Sequence, residues 1–99
     1  MWTFAIKENE LKENRLNRAY PLGIAVLLIK KDASLYAVAS QCPHMACSLG
    51  GAVLEGTMLQ CACHDWTFDI TTGQLVEAKE ILLTTYRTKT ENGDIFVNM

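Results

Sequence analysis

The stretches Cys42-Pro43-His44-Met45-Ala46-Cys47 and Cys61-Ala62-Cys63-His64-Asp65-Trp66 hold every cysteine and histidine of the 99-residue chain. Thiolate and imidazole groups are the donors with which proteins bind zinc and iron. Buried free cysteines acting as small apolar side chains are the alternative, but they do not explain six such residues in two short segments. The sequence therefore predicts a metal centre built by two loops.

Two simpler kinds of site use only part of this set. A structural zinc takes four ligands, and Cys-x-His is not its usual short pairing. A disulfide framework would use the four cysteines and leave His44 and His64 unexplained, and the first residues of the sequence do not match the pattern of a secretory signal. Both alternatives stay open from the donor count alone.

The motif Cys42-x-His44, followed after sixteen residues by Cys61-x-x-His64, resembles that of the Rieske family. The likeness extends through Trp66-Thr67-Phe68-Asp69 to Thr72-Gly73, and it includes the Leu35-Tyr36-Ala37-Val38 segment before the first loop. The resemblance implies one [2Fe–2S] cluster. It places Cys42 and Cys61 on one iron and His44 and His64 on the other.

The predicted ligand set has a consequence for the reduction potential. The formal charges of two ferric ions, two sulfides and two thiolates cancel, so one electron leaves a single negative charge. A cluster with four thiolates starts negative and becomes more so. An electron is easier to add to the neutral cluster than to one that is already negative. Histidine ligation therefore raises the reduction potential to about −150 to +300 mV, against about −400 mV for plant-type clusters with four thiolates.

Cys47 and Cys63 are not needed as ligands. They match the positions that form a disulfide between the cluster loops in Rieske proteins of respiratory cytochrome bc complexes, a pair that many Rieske ferredoxins lack. The resemblance therefore implies a Cys47–Cys63 bond. The alternative is two free thiols in a reducing cytosol, although a shielded bond resists reduction if its potential lies below about −300 mV.

The sequence departs from the family at three places. Trp66 and Phe68 stand where the respiratory type has hydroxyl side chains that donate hydrogen bonds to cluster sulfur, so we expect a potential towards the low, ferredoxin-like end. Asp65 stands where the family usually has glycine after the ligand histidine. The segment 77–80 lacks the proline that related proteins often have near the cluster.

The rest of the chain predicts an all-β fold, because short apolar runs alternate with turn residues such as Thr71-Thr72-Gly73 and Asn92-Gly93-Asp94. The resemblance implies a Rieske-like antiparallel β-sandwich with a small cluster-binding subdomain formed by loops 41–51 and 61–66. We expect one domain over residues 1–99 and a loop over residues 8–18. The predicted strands are Trp2–Ile6, Leu16–Tyr20, Ile24–Lys30, Leu35–Ala39, Thr57–Cys61, Thr67–Ile70, Gln74–Val76, Leu82–Lys89 and Ile95–Asn98.

Composition excludes several classes of function. The net charge is −2 and basic residues do not cluster, so nucleic-acid binding is not predicted. The longest apolar run, Ile24–Ile29, is far below the roughly 18–20 residues of a membrane helix. We expect a soluble, cytoplasmic protein without a membrane anchor.

Charge is also scarce around the predicted cluster, since residues 33–54 and 56–64 contain no Asp, Glu, Lys or Arg. We expect an apolar cluster tip that docks a redox partner, with Met45 and Leu49 as candidates for its rim. Trp66 and Phe68 are expected to pack beneath the cluster.

Both histidines serve as predicted ligands, and the chain has no Gly-rich phosphate loop and no Ser-His-acid set. We therefore predict an electron-transfer protein that is not itself an enzyme. The resemblance implies a ferredoxin that passes single electrons to an oxygenase or other oxidoreductase. The alternatives are a small Rieske subunit of a larger redox enzyme, similar to nitrite reductases or arsenite oxidases, and a structural zinc-binding module.

Overall fold

The structure, a computed structural model, describes residues 1–32, 34–41, 49–61 and 66–99. These residues form ten strands and no α-helix, which confirms the predicted all-β class. The strands are β1 (Trp2–Lys7), β2 (Asn17–Ala19), β3 (Val26–Lys31), β4 (Ser34–Ala39), β5 (Val53–Glu55), β6 (Met58–Gln60), β7 (Thr67–Asp69), β8 (Thr85–Tyr86), β9 (Thr88–Glu91) and β10 (Asp94–Asn98).

The strands form three antiparallel sheets, in the orders β1-β10-β9, β2-β3-β4-β8 and β5-β6-β7. The first two sheets enclose one apolar cluster, to which β3 contributes Val26 and Leu28 and β10 contributes Ile95 and Val97. This arrangement is the predicted sandwich. The third sheet is separate in its strand pairing and carries the second predicted loop between β6 and β7.

Strand β3 joins the sandwich to the small sheet because both of its faces are buried. Leu27 and Ile29 point away from the first cluster, as alternate residues of a strand must. They belong to a second apolar cluster that also contains Leu59 of β6 and Phe68 of β7. All four residues from Val26 to Ile29 are at most 1% exposed. The continuous apolar run in the sequence therefore reflects a strand with a core on each side.

Most predicted strands are confirmed with ends shifted by one or two residues. β5 (Val53–Glu55) was not predicted. The segment predicted as a strand over Gln74–Val76 makes only single bridges, Phe68↔Leu75 and Gln74↔Leu82. The predicted Leu82–Lys89 strand is divided at Arg87, where the chain passes from the second sheet to the first.

Residues 8–18, predicted as a loop, contain no α-helix, but Glu8–Glu10 form a short 3-10 helix and β2 begins at Asn17. The side chain of Asn17 organises the second half of this segment. Its amide nitrogen donates to the carbonyl oxygens of Lys12, Arg15 and Leu28, at 2.9, 3.0 and 3.1 Å. Its oxygen accepts from the Lys12 N–H at 2.9 Å. One buried amide thus replaces the hydrogen bonds that a helix would supply.

Among the described residues, no helical segment has the length and apolarity needed to cross a bilayer.

Two glycines with left-handed backbones offer a matched test of the fold. Gly73 and Gly93 have φ values of 81° and 80°. A β-carbon at Gly93 would meet nothing within 4 Å, whereas one at Gly73 would collide with the Leu83 carbonyl oxygen. That oxygen lies close because the Leu83 N–H donates to the Gly73 carbonyl at 2.7 Å.

We therefore expect Gly93→Ala to lower the free energy of unfolding by about 1–2 kcal/mol, the cost of a left-handed non-glycine residue. Gly73→Ala should lower it by about 3 kcal/mol or more, because overpacking adds to that cost. Urea unfolding followed by circular dichroism measures both. Equal losses in the two variants would contradict the packing argument.

Candidate metal centre

The structure describes one of the four predicted ligands, Cys61. The other three, Cys42, His44 and His64, lie outside the described residues, as do the predicted disulfide partners Cys47 and Cys63. Asp65 and the rim candidate Met45 also lie outside them. The described residues show how the chain enters and leaves each loop.

The first loop is closed at its base by backbone hydrogen bonds. The Leu49 N–H donates to the Ser40 carbonyl at 2.6 Å, so the chain leaves and returns at one point. The Ser40 N–H in turn donates to the Ala25 carbonyl at 3.2 Å, which ties this base to the segment just before β3. Ser40 and Leu49 are both buried. Ser40 and Leu49, which flank the first loop, are thus fixed next to each other.

The second loop is closed in the same way. Cys61 donates its N–H to the Trp66 carbonyl at 2.8 Å, immediately beyond the Gln60↔Thr67 pair of β6 and β7. The pairing of β6 and β7 therefore extends to Cys61 and Trp66, the residues at which the described chain stops and resumes. The Cys61 side chain is 0% exposed.

Both loop bases belong to one apolar cluster. Leu49, Cys61 and Phe68 are members of it, and Trp66 packs against it. The rings of Trp66 and Phe68 meet edge to face, with centroids 6.3 Å apart. Their predicted position beneath the [2Fe–2S] cluster stays a prediction. Residues at the ends of both loops are therefore anchored in the same apolar cluster.

Leu49 corrects one expectation. It was a candidate for the exposed rim of the tip, but it is 0% exposed and belongs to the core. Sequence reasoning also missed Ser40 as an anchor of the first loop. The available signal was weak, since Leu49 is a single apolar side chain between Ser48 and two glycines.

The donor chemistry fits a [2Fe–2S] cluster. Cys61 supplies sulfur in an apolar setting, and an oxidised cluster with two thiolates and two neutral imidazoles carries no net charge that would oppose burial there. Beyond Cys61 and the spare pair, the loop sequences contain one more cysteine, Cys42, and one histidine each, His44 and His64. Among the described residues, no three Cys, His, Asp or Glu side chains gather into a different metal site.

The model of the Rieske [2Fe-2S] domain family matches residues 1–87. The chain belongs to the Rieske family. Its cofactor is accordingly one Rieske-type [2Fe–2S] cluster. This replaces the two alternatives, a structural zinc site and a disulfide framework of all four cysteines.

Two curated relatives show the range of the match. The ferredoxin component of the alkene monooxygenase system of Xanthobacter autotrophicus is 32% identical over 73 residues, which is 73% of this chain and 60% of that relative. The ferredoxin component of the naphthalene 1,2-dioxygenase system of Pseudomonas putida is 24% identical over 99% of this chain and 95% of its own length.

Among solved structures, the ferredoxin of carbazole 1,9a-dioxygenase from Nocardioides aromaticivorans superposes with a TM-score of 0.86. The alignment covers 98% of this chain and 96% of that one, at 21% identity. The shared fold confirms the predicted antiparallel Rieske architecture.

The anchoring role of Leu49 generates a prediction with a matched control. Leu49→Ala and Leu28→Ala each remove a leucine that is 0% exposed, so each should lower the free energy of unfolding by about 2–5 kcal/mol. Only Leu49 belongs to the cluster beneath the loops, whereas Leu28 lies in the sandwich core.

Leu49→Ala should therefore lose its visible cluster absorbance several-fold faster than Leu28→Ala at a temperature where both remain folded. Time-resolved absorbance with parallel circular dichroism measures this difference. Identical bleaching rates would show that Leu49 does not support the first loop.

Proposed function

We propose that this chain is a one-electron carrier, the ferredoxin component of an oxygenase system, with residues 1–99 acting as a single Rieske-type domain in the cytoplasm. The observation that carries the proposal is the pair of loops closed at Ser40–Leu49 and Cys61–Trp66 on one apolar cluster. Two relatives that belong to oxygenase systems are named as ferredoxin components, and one of them aligns along nearly all of both chains.

The proposed ligands are Cys42 and Cys61 on one iron and His44 and His64 on the other. The bound cluster would take up one electron and release it. The chain itself would carry the four donors on its two loops and would shield the sulfur of Cys61, which is fully buried. Phe68 has no hydroxyl group and is fully buried. It therefore offers no hydrogen bond that would raise the potential.

An electron-transfer assay tests the function. Dithionite-reduced protein, freed of excess reductant, should deliver one electron per chain to a terminal oxygenase in anaerobic stopped flow. The naphthalene 1,2-dioxygenase, alkene monooxygenase and carbazole 1,9a-dioxygenase systems supply the acceptors. The midpoint potential at neutral pH should lie below zero. A midpoint well above zero, or failure to reduce any of the three acceptors at a rate above the buffer control, contradicts the proposal.

Serine substitution at each of the four cysteines tests the ligand assignment. Cys42→Ser and Cys61→Ser should abolish or severely impair cluster assembly, because the thiolates are the sulfur ligands. Cys47→Ser and Cys63→Ser are the matched controls in the same loops and should still assemble it. Iron, acid-labile sulfide and visible absorbance per chain measure assembly.

Counting the free thiols of the wild-type protein tests the proposed Cys47–Cys63 disulfide. Wild-type protein unfolded without reductant should expose two free thiols, and reduction should raise the number to four. Four thiols before reduction would end the disulfide proposal and leave the ligand assignment untouched.

A further inference from the structure

The turn that leads from β2 into β3 exposes three large apolar side chains within five residues. Tyr20 is 61% exposed, Leu22 62% and Ile24 48%. Between them, Pro21 is buried and fixes the turn to the body of the protein. Grouped exposed apolar residues mark contact sites more often than isolated ones do. We call residues 20–24 the apolar turn.

The backbone of the apolar turn is unusual at its most exposed residue. Leu22 has φ 54° and ψ 25°, in the left-handed region that a leucine rarely adopts. Two hydrogen bonds of 3.0 Å hold it there, from the Gly23 N–H to the Tyr20 carbonyl and from the Ile24 N–H to the Pro21 carbonyl. Glycine or asparagine would suit this backbone better. A leucine that is both strained and exposed points to a role outside folding.

The apolar turn lies beside the base of the first cluster loop. Ile24 lines a cleft of about 340 Å³ together with Ser40, Gln41 and Tyr86. The Ser40 N–H donates to the carbonyl of Ala25, the residue after the turn. Gln41 directly precedes the proposed ligand Cys42. A protein that approaches the first loop closely enough to accept an electron therefore covers this turn as well.

The absence of charged residues in the turn and the first loop indicates what kind of partner would fit this surface. Residues 19–29 and 33–54, which include the turn and the whole first loop, contain no Asp, Glu, Lys or Arg. Attraction between opposite charges therefore contributes little at this face. An apolar surface without charge is complemented by an apolar and uncharged surface on the partner.

We infer that the apolar turn is the contact through which an electron-accepting redox protein docks beside the first cluster loop, with Leu22 as the anchor. This inference rests on the proposed electron-carrier function and names the surface that serves it. The partner presents an uncharged apolar recess next to its own redox centre. Its affinity for this chain should change little between about 50 mM and about 500 mM salt, because few charges are screened at the contact.

The test is the Leu22→Asn variant. Asparagine resembles leucine in size and tolerates the left-handed backbone, so the fold should be retained or stabilised while the apolar contact is lost. Met58→Gln is the matched control, since Met58 is also exposed and apolar but lies at the end of β6 away from Cys61. Ile24→Thr keeps a β-branched side chain and tests the same surface independently.

The readout is reduction of whichever of the three terminal oxygenases the wild-type carrier reduces fastest, with ferricyanide as a small acceptor that needs no docking. Leu22→Asn should raise the apparent KM for the oxygenase about tenfold, the effect of losing one apolar anchor. Ile24→Thr should raise it in the same direction. The midpoint potential, the electron transfer to ferricyanide and the KM of Met58→Gln should equal those of the wild type.

Each remaining outcome has a distinct meaning. An unchanged KM in both turn variants overturns the inference and leaves the carrier function standing. A wild-type protein that reduces ferricyanide but none of the oxygenases overturns the proposed function instead. If sedimentation shows a wild-type dimer that Leu22→Asn converts to monomers, the turn is a contact between copies of this chain and the inference is wrong.

Discussion

Burial of β3 on both faces is the constraint on which the rest of the structure depends. Val26 and Leu28 face the sandwich core that β10 completes, and Leu27 and Ile29 face the cluster beneath the metal loops. A sheet face that is not covered leaves apolar side chains in water, so each face of β3 requires its own layer. The small sheet is thus held to the sandwich by the same strand that holds the sandwich together. This coupling sets the position of the loops relative to the body of the protein.

A chain of 99 residues buries a modest core, and this one uses part of that core to anchor the ends of the two predicted metal loops. Leu49, Cys61 and Phe68 belong to one cluster, so the residues that stabilise the fold and those that anchor the loops are largely the same. A [2Fe–2S] cluster is compatible with such an apolar environment, because its oxidised form is formally neutral and buries no uncompensated charge.

The sequence predicted the cofactor of the site, but it did not predict which residues anchor the loops. Cys42, His44, Cys61 and His64 were predicted as ligands because metal ligands need particular side chains at particular spacings. Most strands were recognisable because apolar runs are separated by turn residues such as Gly73, whose left-handed backbone the structure confirms. Leu49 was assigned to the surface and lies in the core. Whether a single leucine in a glycine-rich segment is buried depends on neighbours that are distant in sequence, and local pattern carries no such information.

The sequence by itself determined the family, the cofactor and the all-β class, because each of these follows from residue type and spacing along the chain. Only the tertiary structure decided that the two loops are closed by backbone hydrogen bonds at Ser40–Leu49 and Cys61–Trp66. It also decided that Leu22 is held exposed beside the first loop, in a backbone conformation unfavourable for leucine. Backbone hydrogen bonds and burial arise from contacts between segments far apart in the sequence. They become visible only when the chain is folded.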